Sequence, residues 1–214
     1  MEKNQIDEDI IPYLKVTLIG DSGSGKTCII NRYINNDFFP DKVSTIGVSC
    51  SNKLISEENK LLRIDLWDTA GQEQYRALGR HFYKDSYVII LVYDITNRES
   101  FENLKIVWYK DLLKHNEKYT ILAVVGNKND LYEVEKVSED EGRNYAKEIN
   151  AIFMLVSAKN GDNINNLFND IVNLYWEPEF QEKVDEISNK DNGSVRLKKV
   201  FKKEEDMFRS KICC

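Results

Sequence analysis

The chain is poor in the residue types that build zinc cages and disulfide frameworks. Its two histidines, His81 and His115, lie far apart in sequence, and neither has a cysteine nearby at metal-ligand spacing. Of its four cysteines, Cys28 and Cys50 lack a C-x-x-C partner, and the other two end the chain. We therefore expect no zinc site, no structural disulfide and no histidine-based catalysis.

Long apolar runs and an excess of positive charge are also missing. The longest apolar run, Tyr87–Tyr93, is far below the ~20 residues of a membrane span, and residues 1–10 are too acidic for a signal peptide. With 30 basic against 36 acidic residues and a net charge of -6, we expect no nucleic acid partner. The expected compartment for folding is the reducing cytosol.

What the chain does have is an alternation of apolar strands with amphipathic helices. Runs rich in Val, Ile and Leu predict strands at Tyr13–Ile19, Leu61–Trp67, Tyr87–Tyr93, Ile121–Val125 and Ile152–Val156. Apolar stripes predict helices over Ser100–Leu113 and from Ile164 onward, and Ser138 with Glu141 fits a capping box. This pattern predicts an α/β fold with a mostly parallel sheet and helices on both faces.

The same pattern bounds a single domain. A length of 214 residues suits one globular domain with a tail. We expect an N-terminal extension over 1–12, a globular domain over 13–176 and a flexible, charge-rich tail over 177–214. Within the domain, Gly47–Ser56 and Leu61–Trp67 predict a hairpin, which gives the sheet one antiparallel edge strand.

A glycine-rich segment follows the first predicted strand directly. It runs Gly20-Asp21-Ser22-Gly23-Ser24-Gly25-Lys26-Thr27 and matches G-x-x-x-x-G-K-[ST], with a helix expected from about Cys28. In such a loop, backbone N–H groups point at phosphate oxygens and the helix N-terminus adds a positive dipole end. We expect the stretch from Ser22 to Cys28 to bind phosphates, with Lys26 on the β/γ-phosphates and the Thr27 hydroxyl on Mg²⁺.

Two loops at other strand ends contain the residues that we expect to recognise the base. Asn127-Lys128-Asn129-Asp130 follows one strand, and the Asp130 carboxylate would accept both the N1–H and the exocyclic amine of guanine. Adenine offers no such donor pair, and a poorly paired buried carboxylate would cost on the order of several kcal/mol. Ser157-Ala158-Lys159 follows the last strand, where a backbone N–H would reach the guanine oxygen and the Lys159 stem would cover the ring.

A further strand end supplies candidates for the metal and the reacting phosphate. In the run Trp67-Asp68-Thr69-Ala70-Gly71-Gln72-Glu73, Asp68 would hold a magnesium-bound water and the Gly71 N–H would approach a γ-phosphate. Gln72 would orient the attacking water, which suits a reaction catalysed mainly by positioning. Thr45 would add a second magnesium ligand. Gln72 and Lys26 are therefore the expected catalytic residues.

With these motifs the sequence resembles a small Ras-like GTPase, and within that superfamily the Rab family. The resemblance covers Tyr13–Trp176 and the terminus, and includes Thr45-Ile46-Gly47-Val48, Val92-Tyr93-Asp94-Ile95-Thr96 and the ending Cys213-Cys214. It implies the P-loop NTPase fold, a GTP/GDP switch that hydrolyses GTP, and switch segments around 38–47 and 70–78. It also implies that Phe38 stacks on guanine; the alternative is a core aromatic at a helix end.

The resemblance also implies partners and a location. A Rab protein regulates vesicle trafficking with an exchange factor, a GTPase-activating protein, effectors, a prenylation escort protein and a GDP-dissociation inhibitor, and we expect a monomer. Cys213 and Cys214 would carry prenyl groups, helped by the basic cluster at 196–203. The expected location is the cytoplasmic face of an intracellular membrane, with a cytosolic pool. The alternative is incidental thiols and a solvated charge run.

Two departures from the family pattern bear on effector choice. Ser49-Cys50 stands where Rab proteins usually have Asp-Phe, and Lys84-Asp85-Ser86 replaces the usual Arg-Gly-Ala after the aromatic pair. A thiol in place of an aromatic ring removes most of the ~150–250 Å² that such a ring buries. Effectors of other Rab proteins are therefore not expected to transfer.

Other functions stay open from the residues alone. A P-loop kinase or ATPase shares the phosphate cradle, and a nucleotide-locked module would bind GTP with negligible turnover. Some Ras-like proteins act outside membrane traffic. The Asp130 loop favours guanine, Gln72 favours hydrolysis, and the terminal cysteines favour work at a membrane.

Overall fold

The computed structural model describes residues 11–39, 45, 47–57, 60–69, 83, 85–115 and 120–190. These residues build a 6-stranded sheet in the order β2-β3-β1-β4-β5-β6. Its strands are β1 (Tyr13–Ile19), β2 (Val48–Glu57), β3 (Lys60–Thr69), β4 (Val88–Asp94), β5 (Ile121–Asn127) and β6 (Ile152–Leu155). Only β2 and β3 pair antiparallel, and the other pairings are parallel. The predicted parallel sheet with one antiparallel edge is confirmed.

Helices cover both faces of this sheet. They are α1 (Lys26–Asn35), α2 (Arg98–Asn103), α3 (Lys110–His115), α4 (Glu139–Glu148), α5 (Ile164–Trp176) and α6 (Pro178–Lys190). A π-helical segment, Leu104–Tyr109, joins α2 to α3, and a short 3₁₀ helix spans Asn129–Val134. The helix expected over Ser100–Leu113 is therefore real, but its middle is wound more loosely than an α-helix.

Strand β4 shows why the strands read as continuous apolar runs. All seven of its residues are buried. Val88, Ile90 and Val92 belong to a core cluster shared with α1 and α5, whereas the residues between them belong to a second cluster shared with α2, α3 and α4. A strand with a core on each face has no solvent side, so both of its residue sets must be apolar.

The start of α4 carries the predicted cap. The Ser138 hydroxyl accepts from the Glu141 backbone N–H, and the Glu141 carboxylate accepts from the Ser138 backbone N–H. Helix α2 has a similar start, where the Asn97 side chain accepts from Glu99 and Ser100. These contacts satisfy N–H groups that have no partner within the helix.

Helix α6 differs from the expectation of a flexible tail beginning at 177. Phe180 and Val184 are buried and join the cluster formed with α1 and α5. Their spacing of four places them on one helical face, and each buried side chain of this size contributes roughly 1.5–3 kcal/mol. The surrounding charged residues obscured this short stripe in the sequence. The segment at 191–214 lies outside the described residues.

Within the described part of the chain, no helix is both long enough and apolar enough to cross a membrane.

Candidate functional site

The loop between β1 and α1 adopts conformations that favour glycine. Gly23 and Gly25 have φ angles of 78° and 93°, in the left-handed region. A Cβ at position 25 would also lie 2.1 Å from Asn127 Nδ2, so another loop packs directly onto this glycine. Helix α1 begins at the next residue, Lys26. The predicted strand, loop and helix arrangement is confirmed.

Lys26 lies beneath this loop with its ammonium group held by backbone oxygens. Its Nζ donates to the Gly20 carbonyl at 2.8 Å and to the Asp21 carbonyl at 2.9 Å, and the residue is buried. Burial lowers the pKa of Lys26 from 10.5 to about 8, while the nearby carboxylates of Asp68 and Asp21 act in the opposite direction. The site therefore holds a cation that a phosphate group would stabilise.

The three predicted metal ligands meet beside this lysine. Thr27 Oγ1 donates to Asp68 Oδ2 at 2.6 Å and lies 2.8 Å from Thr45 Oγ1. Thr45 Oγ1 donates to the same carboxylate oxygen at 3.3 Å. These residues come from α1, the segment before β2, and the end of β3. The sequence positions are far apart, but their oxygens form one cluster.

Asn127 joins the glycine-rich loop to the two loops expected to recognise the base. Its Nδ2 donates to the Ser24 carbonyl at 2.8 Å, and its Oδ1 accepts from the Ala158 backbone N–H at 3.2 Å. The residue is buried at the end of β5. One side-chain amide thus holds three loops at the carboxyl edge of the sheet, which is where open α/β sheets bind ligands.

Asp130 and its neighbours are oriented by polar contacts. Ser157 Oγ donates to Asp130 Oδ1 at 2.6 Å, and Lys159 Nζ lies 3.6 Å from Asp130 Oδ2. Lys128 has a φ of 68° and its Nζ donates to Asp94 Oδ2 at 2.6 Å. The residues of the two predicted base-binding motifs therefore lie together, with Asp130 between Ser157 and Lys159.

The remaining predicted site residues have mixed placements. Ser22 and Gly23 are exposed at the loop tip, while Cys28 and Phe38 are partly buried against the core cluster shared with α1. The core contact matches the alternative considered for Phe38, and its stacking on guanine stays a prediction. Four predicted residues lie outside the described part of the chain, and these are Gly71, Gln72, Cys213 and Cys214.

Arg32 is a residue of this region that sequence reasoning missed. From the last turn of α1 its guanidinium donates to the carbonyls of Ala158 at 2.9 Å, Lys159 at 2.5 Å and Asn36 at 2.6 Å. It therefore braces the loop that follows β6 from behind. No local pattern marks it, because an arginine near a helix C-terminus is common for dipole reasons alone.

Comparison with known proteins agrees with this geometry. The family model for the Ras family matches residues 15–176, a span from β1 to the end of α5 that holds every loop just described. The chain belongs to the Ras family. The glycine-rich loop, the Asp130 loop and the Ser157 loop of this GTPase all lie inside the matched span.

Its relatives place the GTPase more narrowly. Ras-related protein Rab-22A from Homo sapiens is 45% identical over 158 residues, covering 74% of this chain and 81% of that protein. Ras-related protein SEC4 from Saccharomyces cerevisiae is 37% identical over 184 residues, covering 86% and 85%. Ras-related protein Rab-11B from Dictyostelium discoideum is 37% identical over 180 residues, covering 84% and 81%. This chain is accordingly a Rab-type small GTPase that hydrolyses GTP and acts in vesicle trafficking.

The low pKa of Lys26 predicts proton uptake when a nucleotide binds. At pH 8 about half of the Lys26 side chains are neutral, and an added phosphate favours the charged form. Calorimetry with GDP in buffers of different ionisation enthalpy should show uptake of up to about 0.5 proton at pH 8 and about 0.1 at pH 7.

The control for this measurement is Lys26→Arg, which stays charged and should show no uptake. Binding heats that are independent of the buffer at pH 8 would contradict the assignment. Because binding takes up protons, the affinity for GDP should fall as the pH rises. The stability of the protein without nucleotide should instead increase with pH. The pKa of Lys26 is higher in the unfolded chain than in the folded one, so the unfolded chain binds more protons in this range. The free energy of unfolding therefore rises with pH between about 8 and 10.5.

Replacing Arg32 with lysine should speed release of guanine nucleotide about three- to tenfold. Lysine keeps the charge but not the fork that reaches several carbonyls at once, and each lost hydrogen bond costs about 1 kcal/mol. Fluorescent GDP release followed in real time measures the effect. Arg143→Lys is the matched control, because Arg143 is exposed on α4, where it pairs with Glu139. Equal release rates for the two variants would contradict a bracing role.

Proposed function

We propose that the described loops bind GTP or GDP together with Mg²⁺, with the phosphates over Lys26 and the guanine at Asp130. This proposal is supported by the side-chain amide of Asn127, which forms hydrogen bonds with the Ser24 carbonyl of the glycine-rich loop and with the Ala158 N–H of the Ser157 loop. A nucleotide would place its phosphates in the first of these regions and its base in the second. Guanine fits because the Asp130 carboxylate can accept from its N1–H and its amine.

The oxygen cluster suits Mg²⁺. Thr27, Thr45 and Asp68 offer hard oxygen ligands with a single carboxylate among them, and Mg²⁺ is usually held by one or two carboxylates, several waters and substrate phosphates. When bound, the ion neutralises charge on the phosphates. Thr27 and Thr45 would act as direct ligands through their hydroxyl oxygens, and Asp68 would orient a metal-bound water.

For hydrolysis, we assign the water-positioning role to Gln72 and a γ-phosphate contact to the Gly71 N–H. Both assignments rest on the family motif in the sequence. Lys26 would stabilise charge on the transferred phosphoryl group. Intrinsic hydrolysis should be slow, because comparable GTPases gain about 10³ to 10⁵ when an activating protein supplies an arginine.

Single-turnover hydrolysis of radiolabelled GTP tests this set of roles. The wild-type chain should hydrolyse GTP slowly, respond to a Rab-directed activating protein, and lose activity in EDTA. Gln72→Leu should bind GTP normally and lose the acceleration. A chain that retains no guanine nucleotide would overturn the binding proposal, and a Gln72→Leu variant that is fully accelerated would overturn the role of Gln72.

For the membrane, we propose that Cys213 and Cys214 carry prenyl groups. Two lipid chains give stable anchoring where one exchanges readily, and the basic residues at 196–203 would add attraction to an anionic leaflet. Mass spectrometry of protein from its native cells should find both thiols modified and Cys28 and Cys50 unmodified. Unmodified terminal thiols would overturn the anchor.

The partners proposed with this anchor are those of a Rab cycle. They comprise an exchange factor, an activating protein, effectors, a prenylation escort protein and a GDP-dissociation inhibitor, with the GTPase itself a monomer. Cys50 supports a distinct effector set, because it is exposed on β2 directly opposite Trp67 of β3. Pull-down with the GTP-loaded chain, compared with a Cys50→Phe variant, tests whether this position selects effectors.

A further inference from the structure

The Asp21 carboxylate of the glycine-rich loop is held by two donors from a distant helix. Asn103 Nδ2 donates to Asp21 Oδ2 at 2.7 Å, and Trp108 Nε1 donates to Asp21 Oδ1 at 2.7 Å. Each carboxylate oxygen thus has its own donor, and Trp108 is buried. Hydrogen bonds to a charged group are about twice as strong as neutral ones. We call these three side chains the Asp21 clamp.

The π-helical segment explains how one carboxylate receives both donors. Asn103 and Trp108 are five residues apart, and in an α-helix such residues point about 140° away from each other. A π-helix closes i→i+5 hydrogen bonds, so residues five apart lie one above the other. Leu104–Tyr109 has this conformation, and it brings both side chains to the same side. Single π turns of this kind often occur at functional sites.

On its other side, Asp21 is connected to Lys26. The Asp21 carbonyl accepts from Lys26 Nζ at 2.9 Å and from the Ser24 backbone N–H at 3.3 Å. The side chain of Asp21 therefore faces the helix, while its peptide oxygen faces the lysine and the turn. A shift of the carboxylate would move the carbonyl that positions the lysine ammonium.

We propose that Asn103 and Trp108 are positioning residues for the phosphate site, acting through Asp21 on Lys26 and the loop. The inference rests on the nucleotide function proposed above. Neither residue touches the site where phosphate would lie, so their effect should appear in how long a nucleotide stays bound. Through these hydrogen bonds, the helical segment that follows β4 restricts the motion of the glycine-rich loop.

Trp108→Phe is the decisive variant, because the ring remains in the core and only the N–H donor is removed. Release of fluorescent GDP should become at least fivefold faster. Trp176→Phe makes the same change at the end of α5 and should release GDP at the wild-type rate. Asn103→Ala, which removes the other donor from a partly exposed position, should also speed release.

Two further measurements separate positioning from general loss of structure. In an Asp21→Ala background, Trp108→Phe should add no further acceleration, because the acceptor is already gone. Deleting the exposed residue Ile106 should leave release slow. The deletion converts the π turn to an α-helix and makes the two donors i and i+4, which again lie on one face.

The outcomes distinguish this inference from the proposed function. If the wild-type chain binds no guanine nucleotide, the proposed function fails. If it binds GDP and both Trp108→Phe and Asn103→Ala release it at the wild-type rate, the clamp is overturned while the proposed function stands. Equal acceleration by Trp108→Phe with and without Asp21 would also overturn the clamp. The indole N–H signal of Trp108 in ¹H–¹⁵N spectra should shift in Asp21→Ala, and an unchanged signal would count against the hydrogen bond.

Discussion

An Asp130→Asn variant is expected to prefer xanthine nucleotides over guanine nucleotides. In the proposed site the carboxylate would accept two hydrogen bonds from guanine, and each bond to a charged group contributes roughly 1.5–3 kcal/mol. Asparagine keeps one acceptor oxygen but turns an N–H toward the guanine amine, so the lost bond and the new donor–donor contact should weaken GDP binding roughly 10² to 10⁴-fold. Xanthine has a carbonyl where guanine has the amine, so the asparagine amide can donate to it. The Ser157 hydroxyl can still donate to the Oδ1 at position 130.

Competition of fluorescent GDP with GDP, XDP and ADP measures this switch directly. Asp162→Asn is the matched control, since it makes the same change at an exposed carboxylate two residues beyond Asn160. The control should keep the wild-type order of affinities. An Asp130→Asn protein with full guanine preference would show that another group reads the base.

Replacing Gly25 with alanine should cost more than 100-fold in nucleotide affinity. The new Cβ would lie 2.1 Å from Asn127 Nδ2, a distance that requires the amide or the loop to move. Because the same amide forms hydrogen bonds with the Ser24 carbonyl and the Ala158 N–H, its displacement disturbs the glycine-rich loop and the Ser157 loop together. Retention of GDP through purification and titration with fluorescent GDP measure the loss.

Gly161→Ala separates this collision from backbone strain. Gly161 has the same φ of 93° as Gly25, but its Cβ would meet the Arg32 side chain at ordinary contact distances, 3.5 Å from Cδ and 3.9 Å from Nε. The left-handed conformation should cost each variant roughly 1–2 kcal/mol of stability. Only Gly25→Ala should lose nucleotide beyond that cost. Similar affinities for the two variants would mean that strain, and not the contact with Asn127, explains the glycine.

The loops at strand ends could be predicted because their chemistry is local in sequence. Lys26, Asp130 and Ser157 come after strands whose apolar runs are plain, and Asp68 lies at the end of another. Parallel strands bring their carboxyl ends to one edge. Thr45 was named as a magnesium ligand without such an argument. It reaches the same edge because it precedes β2, whose antiparallel pairing places Val48 opposite Thr69 at the end of β3. The sheet order itself agrees with the alternation of strands and helices.

Contacts between distant residues could not be predicted in the same way. Asn103 lies 82 positions from Asp21, and Arg32 lies 126 from Ala158. The stripe of Leu104, Trp108 and Leu112 fits an ordinary α-helix, so periodicity gave no sign of the π turn. Helix α6 was missed because its buried pair is short and surrounded by charge.

Strand β4 restricts where this protein can be re-engineered. Consecutive residues of β4 belong to the two core clusters on opposite faces of the sheet. Inserting or deleting one residue in this strand would therefore turn the side chains beyond that point toward the wrong cluster. Peptide grafts, fluorophore fusions and circular permutation should therefore avoid strand β4. Edge strand β2, which pairs on one side only, is the safer place to alter length.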